Sequence, residues 1–470
     1  MSNEPHAPAI LVIFGITGDL AQRKLLPALY HLLKDGLLHE HTRIVGITRQ
    51  DMSVDTLLGK TELCVLEADN VCDPAVIQLM REKLSMFKMD LEDPKEYQGL
   101  RTYLNGIEDD KGMCMNRLYY LAIPPGIYAP IVAHLGQEGL NQSCQHGSAS
   151  TRLLVEKPFG YDETSAAELI HETGTYFNED QLFRIDHYLA KETVQNILTF
   201  RFNNPIFEAV WTRDHVQKIE IIASEVIDIE GRANFYEQVG ALRDLIQSHL
   251  LQLLAVVTME KPDGALNSDS IHAARLALLR AIAPLEPNEL AGRAIRGQYK
   301  GYKAEVGNEH THVETFAAVK LSIENKQWQG VPIIIKTGKA LDKKATEIRF
   351  TFGIDDDKQT NILTFMVQPS EGIAIDLRVK RPGFDDTVQK VTMDFNYERS
   401  FENNGHPDAY ERVLVDAVRG DHTLFATSQE VMAAWHILQA VVTAWTQNGD
   451  GLHVYEKGGN GPELPHSFMN

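Results

Sequence analysis

Ala9-Ile10-Leu11-Val12-Ile13-Phe14-Gly15-Ile16-Thr17-Gly18-Asp19-Leu20-Ala21 opens the interpretable part of the chain with six apolar residues, a glycine turn and a helical pattern that continues to Leu33. A run of six apolar residues suits a strand covered on both faces, and such strands belong to parallel sheets flanked by helices. Gly15-x-x-Gly18-x-x-Ala21 falls between strand and helix, so backbone amides at the helix N-terminus can face a pyrophosphate with no side chain intervening. The spacing is not the commoner GxGxxG, and alone it would also describe an ordinary tight turn. Its position at the first strand-to-helix crossing gives it weight. Pro27 is expected to break or restart the helix, because it lacks an amide donor, and Gly36 to end it.

Further along, Arg43 to Thr48 (RIVGIT), Leu118 to Ile123 (LYYLAI, before Pro124-Pro125) and Arg152 to Val155 repeat the buried-strand texture, with helical stretches between them. The alternation predicts a Rossmann-like, doubly wound α/β domain over residues 1–185. The end of its second strand selects the nucleotide. An acidic residue there would grip a ribose 2′-hydroxyl, whereas Thr48-Arg49-Gln50 offers a guanidinium and an amide to a 2′-phosphate. NADP is therefore expected, with Thr17 adding a hydroxyl; the same pair would also tolerate NAD. From about residue 186 the texture changes to a long apolar helix at Val239 to Met259 and grouped, alternating strands after Val313. This predicts a larger α+β domain with a mainly antiparallel sheet over 186–470, closed by a helical pair near Asp408 to Val418 and Ser428 to Thr443.

Charge narrows the partners. With 45 basic and 65 acidic residues the chain carries a formal charge of −20, the wrong sign for nucleic acid or an anionic membrane surface. An anionic ligand would need local lysines, histidines or amides set against that average field. The apolar stretches, such as Leu250 to Met259, are short of the roughly 18 residues a membrane span needs, and the N-terminus has no basic leader, so a cytoplasmic protein is expected. Four cysteines (Cys64, Cys72, Cys114, Cys144) form no CxxC pair, and neither a metal site nor a disulfide framework is expected.

Four places concentrate reactive chemistry. Arg184-Ile185-Asp186-His187-Tyr188-Leu189-Ala190-Lys191-Glu192 packs a carboxylate, an imidazole, a phenol and an ammonium together, which fits either a site or a solvated helix start capped by Asp186. Glu156-Lys157-Pro158 ends a strand at the edge where open α/β folds bind ligands. His249 lies in an otherwise apolar helix; it is either a satisfied core histidine or a general base oriented by a carboxylate, with Asp186 a candidate. Asp244 precedes it by five positions, about 140° around an α-helix, so the two are not expected face to face on that helix. Gly338-Lys339-Ala340-Leu341-Asp342-Lys343-Lys344 is a basic turn whose role spacing alone leaves open.

In order along the chain, IFGITGDLAQRKLLPALYHL, LVEKPFG, RIDHYLAKETVQN, EGRANFYEQVGALRDLIQSHLLQLL, VPIIIKTGKAL and YERVLVDAVRGDHTLF resemble the glucose-6-phosphate dehydrogenase family, end to end. The resemblance implies that His249 is the base for the sugar's anomeric hydroxyl and Asp186 its orienting carboxylate. It implies that His187, Tyr188 and Lys191 hold the 6-phosphate, and that Glu225, Asp244, Lys157, Lys339 and Lys344 bind sugar hydroxyls. Gly15, Thr17, Gly18, Asp19, Leu20 and Arg49 match the coenzyme site, with Gln50 and Lys157 beside it. Hydride would pass from C1 of glucose 6-phosphate to the nicotinamide of NADP with no metal, and a homodimer or dimer of dimers built on the antiparallel sheet is expected. Ala190, Ser248 and Glu237 depart from the family's usual glycine, asparagine and aspartate, and the glycine-rich run Gly458 to Pro462 lacks its tryptophan. The competing readings are a dehydrogenase of a non-phosphorylated sugar and a silent NADP-binding regulatory protein.

Overall fold

The computed structural model describes residues 7–59, 73–144, 149–353, 360–400, 407–447 and 449–469. Cys64 and Cys72 lie outside these residues. The chain divides into two units: Met1–Gly160, Thr164–Ala190 and Pro407–Ser428 form the first, and Tyr161–Glu163, Lys191–His406 and Gln429–Asn470 the second. The boundary expected at 185/186 thus falls at 190/191, and a late segment returns to the first unit. The cause of the return is visible in the pairing: Phe425–Ala426 joins the first unit's sheet as an antiparallel edge strand.

That sheet contains β1 (Ala9–Phe14), β2 (Arg43–Thr48), β3 (Leu84–Lys88), β4 (Asn116–Leu121), β5 (Thr151–Val155) and β6 (Leu182–Ile185) in the order β6-β5-β4-β1-β2-β3, all parallel. This is the doubly wound order, with the strand direction of travel reversing between β1 and β4. Every residue of β1 and β4 is buried. One side of the core is closed by the helices Pro94–Lys111 and Tyr128–Gln137, through Tyr97, Leu100, Leu104, Ile131 and Leu135. The first of these helices is framed by the Asp93 carboxylate, which accepts the Lys95 amide at 3.0 Å, and by left-handed Gly112 at its end. Pro27 restarts the helix as expected: a π-helical turn, Ala21–Leu25, gives way to the α-helix Leu26–Lys34 with the proline at its second position. Cys114 and Cys144 are disulfide-paired, Cα to Cα 5.8 Å, contrary to expectation; a pair separated by 30 residues leaves no spacing signature.

The second unit is built on β7 (Val216–Ser224), β8 (Ala294–Tyr299), β9 (Phe316–Leu321), β10 (Ile333–Gly338), β11 (Ala345–Phe352), β12 (Asn361–Gln368), β13 (Gly372–Lys380) and β14 (Val388–Asn396). Their order is β14-β13-β12-β11-β7-β10-β9-β8, with Leu452–Tyr455 added beside β8. β7 and β10 are parallel, as are β8 and Leu452–Tyr455; the other neighbours are antiparallel. The apolar helix expected from Val239 has three parts. Ala233–Ala241 is broken by Gly240 (φ 65°, ψ 175°), Leu242–Leu250 is π-helical, and Leu251–Thr258 is α-helical and buried throughout.

Candidate active site

The coenzyme-type residues follow the carboxyl ends of the first unit's strands, beside the switch point. At Gly15 (φ 80°) a Cβ would stand 2.5 Å from the Ala122 carbonyl oxygen, so only glycine fits. The turn is closed by the Gly18 amide donating to Gly15 O at 2.8 Å, and the Gln22 side chain donates to the Thr17 carbonyl at 2.6 Å. A side-chain-free cradle at the start of a helix suits a dinucleotide pyrophosphate. Asp19 is exposed and paired with Arg23 at 2.8 Å, and Leu20 leads into the π-turn. Arg49 and Gln50 are exposed just past β2, where Thr48 Oγ1 accepts the Gln50 amide at 3.1 Å. A 2′-phosphate would meet both.

Lys157 follows β5 and is half-buried, and its bond to Pro158 is cis. Glu156 beside it accepts a 2.6 Å hydrogen bond from the Tyr120 hydroxyl on β4. Burial and the negative charge of Asp186 push the Glu156 carboxyl up to about 7, against the opposing pull of Tyr120 and Lys157. Asp186 follows β6 directly and is buried. Its Oδ1 accepts the amides of Tyr188 (2.9 Å) and Leu189 (3.2 Å), and its carbonyl accepts that of Ala190 (3.2 Å). The turn fixes one carboxylate oxygen, and Asp186 closes this turn rather than capping the helix that follows, whose N-cap is Lys191. The His187 and Tyr188 rings lie 5.1 Å apart. Ala190 is not among the described residues with positive φ, so its methyl group strains nothing and glycine is not required.

In the second unit Lys191 stands at the N-cap of the helix Glu192–Asn203, its ammonium 4.0 Å from Glu371 Oε1; Glu371 also accepts from Thr193 Oγ1 at 2.8 Å. Glu371 sits in the short turn between β12 and β13, where the sequence offers no motif. His249 is 1% exposed at the end of the π-helical segment. Because π-helices bond i to i+5, Asp244 lies one turn before His249 on the same side of the segment, which corrects the 140° separation expected from α-helical geometry. Ser248 donates to the Asp244 carbonyl at 2.6 Å, so the departure at 248 is absorbed by the backbone. Glu237 accepts from Tyr302, Asn308 and Thr311 at 2.7, 3.1 and 2.8 Å and ties the helix to the loop after β8.

The basic turn after β10 is not a solvated loop at its start. Lys339 is 8% exposed and ion-paired with Glu225, which follows β7. Ala340 has φ 51°, a conformation costly for a side-chain-bearing residue, and is held there by neighbours. Its amide donates to Ile227 O at 2.8 Å, Leu341 donates to Glu225 O at 2.9 Å, and Gly458 donates to Ala340 O at 2.7 Å. The tryptophan-free C-terminal run thereby clamps the lysine turn. Lys344 is exposed further along the same loop. Glu314, which accepts the Leu242 amide, Tyr236, whose ring the Lys339 ammonium faces, and Glu371 beside Lys191 have no motif to announce them. Among the described residues no group of three or more histidine, cysteine, aspartate or glutamate side chains could hold a metal ion.

Comparison with known proteins accounts for this assembly along nearly its whole length. The family description "Glucose-6-phosphate dehydrogenase, NAD binding domain" matches residues 12–196, and "Glucose-6-phosphate dehydrogenase, C-terminal domain" matches 198–470. Glucose-6-phosphate 1-dehydrogenase of Chlamydia pneumoniae is 36% identical over 98% of this chain and 94% of its own, and that of Bacillus subtilis 35% over 98% and 97%. Among solved structures, a glucose-6-phosphate dehydrogenase in complex with its substrate glucose 6-phosphate superposes with a TM-score of 0.89 at 31% identity, covering 98% of this chain and 97% of that one. The Mycobacterium avium enzyme gives 0.83 at 33%, covering 97% and 96%. The chain belongs to the glucose-6-phosphate dehydrogenase family.

Proposed function

We propose that the chain oxidises glucose 6-phosphate at C1 to 6-phosphoglucono-1,5-lactone with NADP as acceptor, and that the residues below carry the reaction. The supporting observation is a buried histidine one π-turn from Asp244, in the unit that also holds buried Lys339 paired with Glu225. The Gly15 cradle and exposed Arg49 fit the nucleotide. Bound NADP would supply the acceptor for the hydride leaving C1. His249 takes the proton of the anomeric hydroxyl as the C1–H electron pair departs, so the C1–O bond becomes a carbonyl and charge is conserved. Asp186, one oxygen fixed by its own turn, orients the imidazole and offsets its charge once protonated. Lys191, His187 and Tyr188 hold the phosphate, and Lys157, Glu225, Asp244, Lys339 and Lys344 hold the sugar hydroxyls, fixing which carbon meets the base. A cytoplasmic location is part of the same reading, since charged metabolites of this kind are retained there. Among the described residues no helix is long and apolar enough to cross a membrane.

Initial rates with glucose 6-phosphate and with glucose, each with NADP and with NAD, test the reading. Turnover dependent on the 6-phosphate is expected, and equal rates on free glucose would instead favour a non-phosphorylated sugar as substrate. Replacing His249→Asn should lower kcat by about 10²- to 10⁴-fold with little change in KM. A variant that keeps its turnover would remove the base assignment, whereas a native chain with no turnover in any of these assays would leave the silent nucleotide binder as the reading.

A further inference from the structure

Tyr236 lies on the helix Ala233–Ala241, one turn before the Gly240 break that starts the segment bearing Asp244 and His249. Its ring is 3% exposed and packs against Tyr302 at 6.2 Å between centroids, within the core that includes Ile229, Phe316 and Leu341. The Lys339 ammonium lies 5.4 Å from the ring centroid, so the cation paired with Glu225 also faces the aromatic side chain. The hydroxyl makes no hydrogen bond among the described residues. The neighbouring phenol of Tyr302, by contrast, donates to Glu237 at 2.7 Å, and that of Tyr455 to Lys339 O at 2.8 Å. Burial, then the charges of Asp244, Glu314 and Glu225, hold the Tyr236 phenol well above its ordinary pKa, so it keeps its proton and can donate. Thus a neutral donor with a fixed ring stands beside the three charged groups assigned to the sugar.

We propose that Tyr236 is a further specificity-determining residue, its hydroxyl contacting one ring hydroxyl of the sugar alongside Glu225, Lys339 and Asp244. The inference rests on the function proposed above. An alcohol is the ligand this donor fits, because an anion would meet three carboxylates and an apolar group would leave the hydroxyl dry and unpaired. A sugar hydroxyl both accepts from the phenol and donates to a carboxylate, satisfying both partners.

The test compares the full-length enzyme with its Tyr236→Phe variant on glucose 6-phosphate and on its 2-deoxy, 3-deoxy and 4-deoxy analogues. The variant keeps the ring and its packing, and a Tyr302→Phe variant serves as the control for loss of a structural hydroxyl. With the parent sugar, kcat/KM should fall about tenfold in Tyr236→Phe. For one deoxy analogue the same ratio should return to about one, because the partner hydroxyl is already absent. Inhibition by inorganic phosphate should be unchanged. A uniform fall across all four sugars, as expected of Tyr302→Phe, or no fall at all, overturns the proposal. Absence of turnover of glucose 6-phosphate by the unmodified enzyme would overturn the functional reading itself, a separate outcome.

Discussion

Glu156 is the residue at which local electrostatics has a consequence for the whole fold. Its carboxyl is displaced from 4.5 to about 7, chiefly by burial and then by the Asp186 charge, while Tyr120 and Lys157 pull the other way. Below pH 4.5 the group is protonated in both folded and unfolded chains. Between about 4.5 and 7 the unfolded carboxyl ionises while the folded one resists, so stability is lost as pH rises through that window, and above it the penalty is constant. Glutamine cannot ionise, yet still accepts from Tyr120. The melting temperature of Glu156→Gln, relative to the unmodified chain, should therefore rise between pH 5 and pH 8; a difference independent of pH would remove the assignment. Sequence makes Lys157 and Asp186 visible as members of motifs. It does not make Glu156 visible as a titrating group, because its displacement depends on Tyr120 from one neighbouring strand and Asp186 from another.

At the scale of elements, β1 is legible because all six of its residues are apolar and buried, whereas β3 (LSMFK) is not, being half polar at the open edge of the sheet. The histidine-bearing helix is legible in place but not in pitch. Counting at 3.6 residues per turn separates Asp244 from His249, and nothing in the intervening residues announces a π-helix. Its start is set from outside: Glu314 Oε1 accepts the Leu242 amide at 2.9 Å, its carbonyl accepts the Ala241 amide at 3.0 Å, and a Cβ at Gly240 would lie 2.5 Å from that carboxylate. Glu314 therefore acts as the cap that a local residue would ordinarily supply. Glu314→Ala should cost about 1–2 kcal/mol of stability by chemical denaturation and lower kcat more than it raises KM, since it loosens the base rather than the sugar contacts. An unaffected denaturation midpoint would refute the capping role. At the lysine turn, Ala340→Gly should relieve the left-handed backbone and change stability by only about 1 kcal/mol or less, the relief being opposed by added freedom of the unfolded chain. A large loss would mean that the Ala340 methyl group carries packing of its own.

For the whole molecule, the two classes of sheet are legible from periodicity, continuous in β1 and β4 and alternating in β11 and β12, where buried and half-buried positions take turns. The return of Pro407–Ser428 to the first unit is not. The helix Ala409–Arg419 is amphipathic, but an amphipathic face does not say which sheet it will cover. Among the described residues, one edge of the second unit's sheet is left uncovered. β14 is the outermost strand of the nine-stranded sheet and is exposed over most of its length, with Val388 at 57%, Val391 at 37% and Met393 at 63%. A long edge strand carrying exposed apolar side chains invites pairing, and a second copy of the chain is the partner expected from the family resemblance. Two such sheets meeting through β13 and β14 would cover these side chains from both sides. Light scattering after size exclusion should therefore give about twice the 52.8 kDa chain mass, or four times it for a dimer of dimers. Val391→Asp combined with Met393→Lys places charge on that face and should return the mass to one chain. A native chain that runs at 52.8 kDa at micromolar concentration, or a variant that keeps the higher mass, would show that this edge is not the interface.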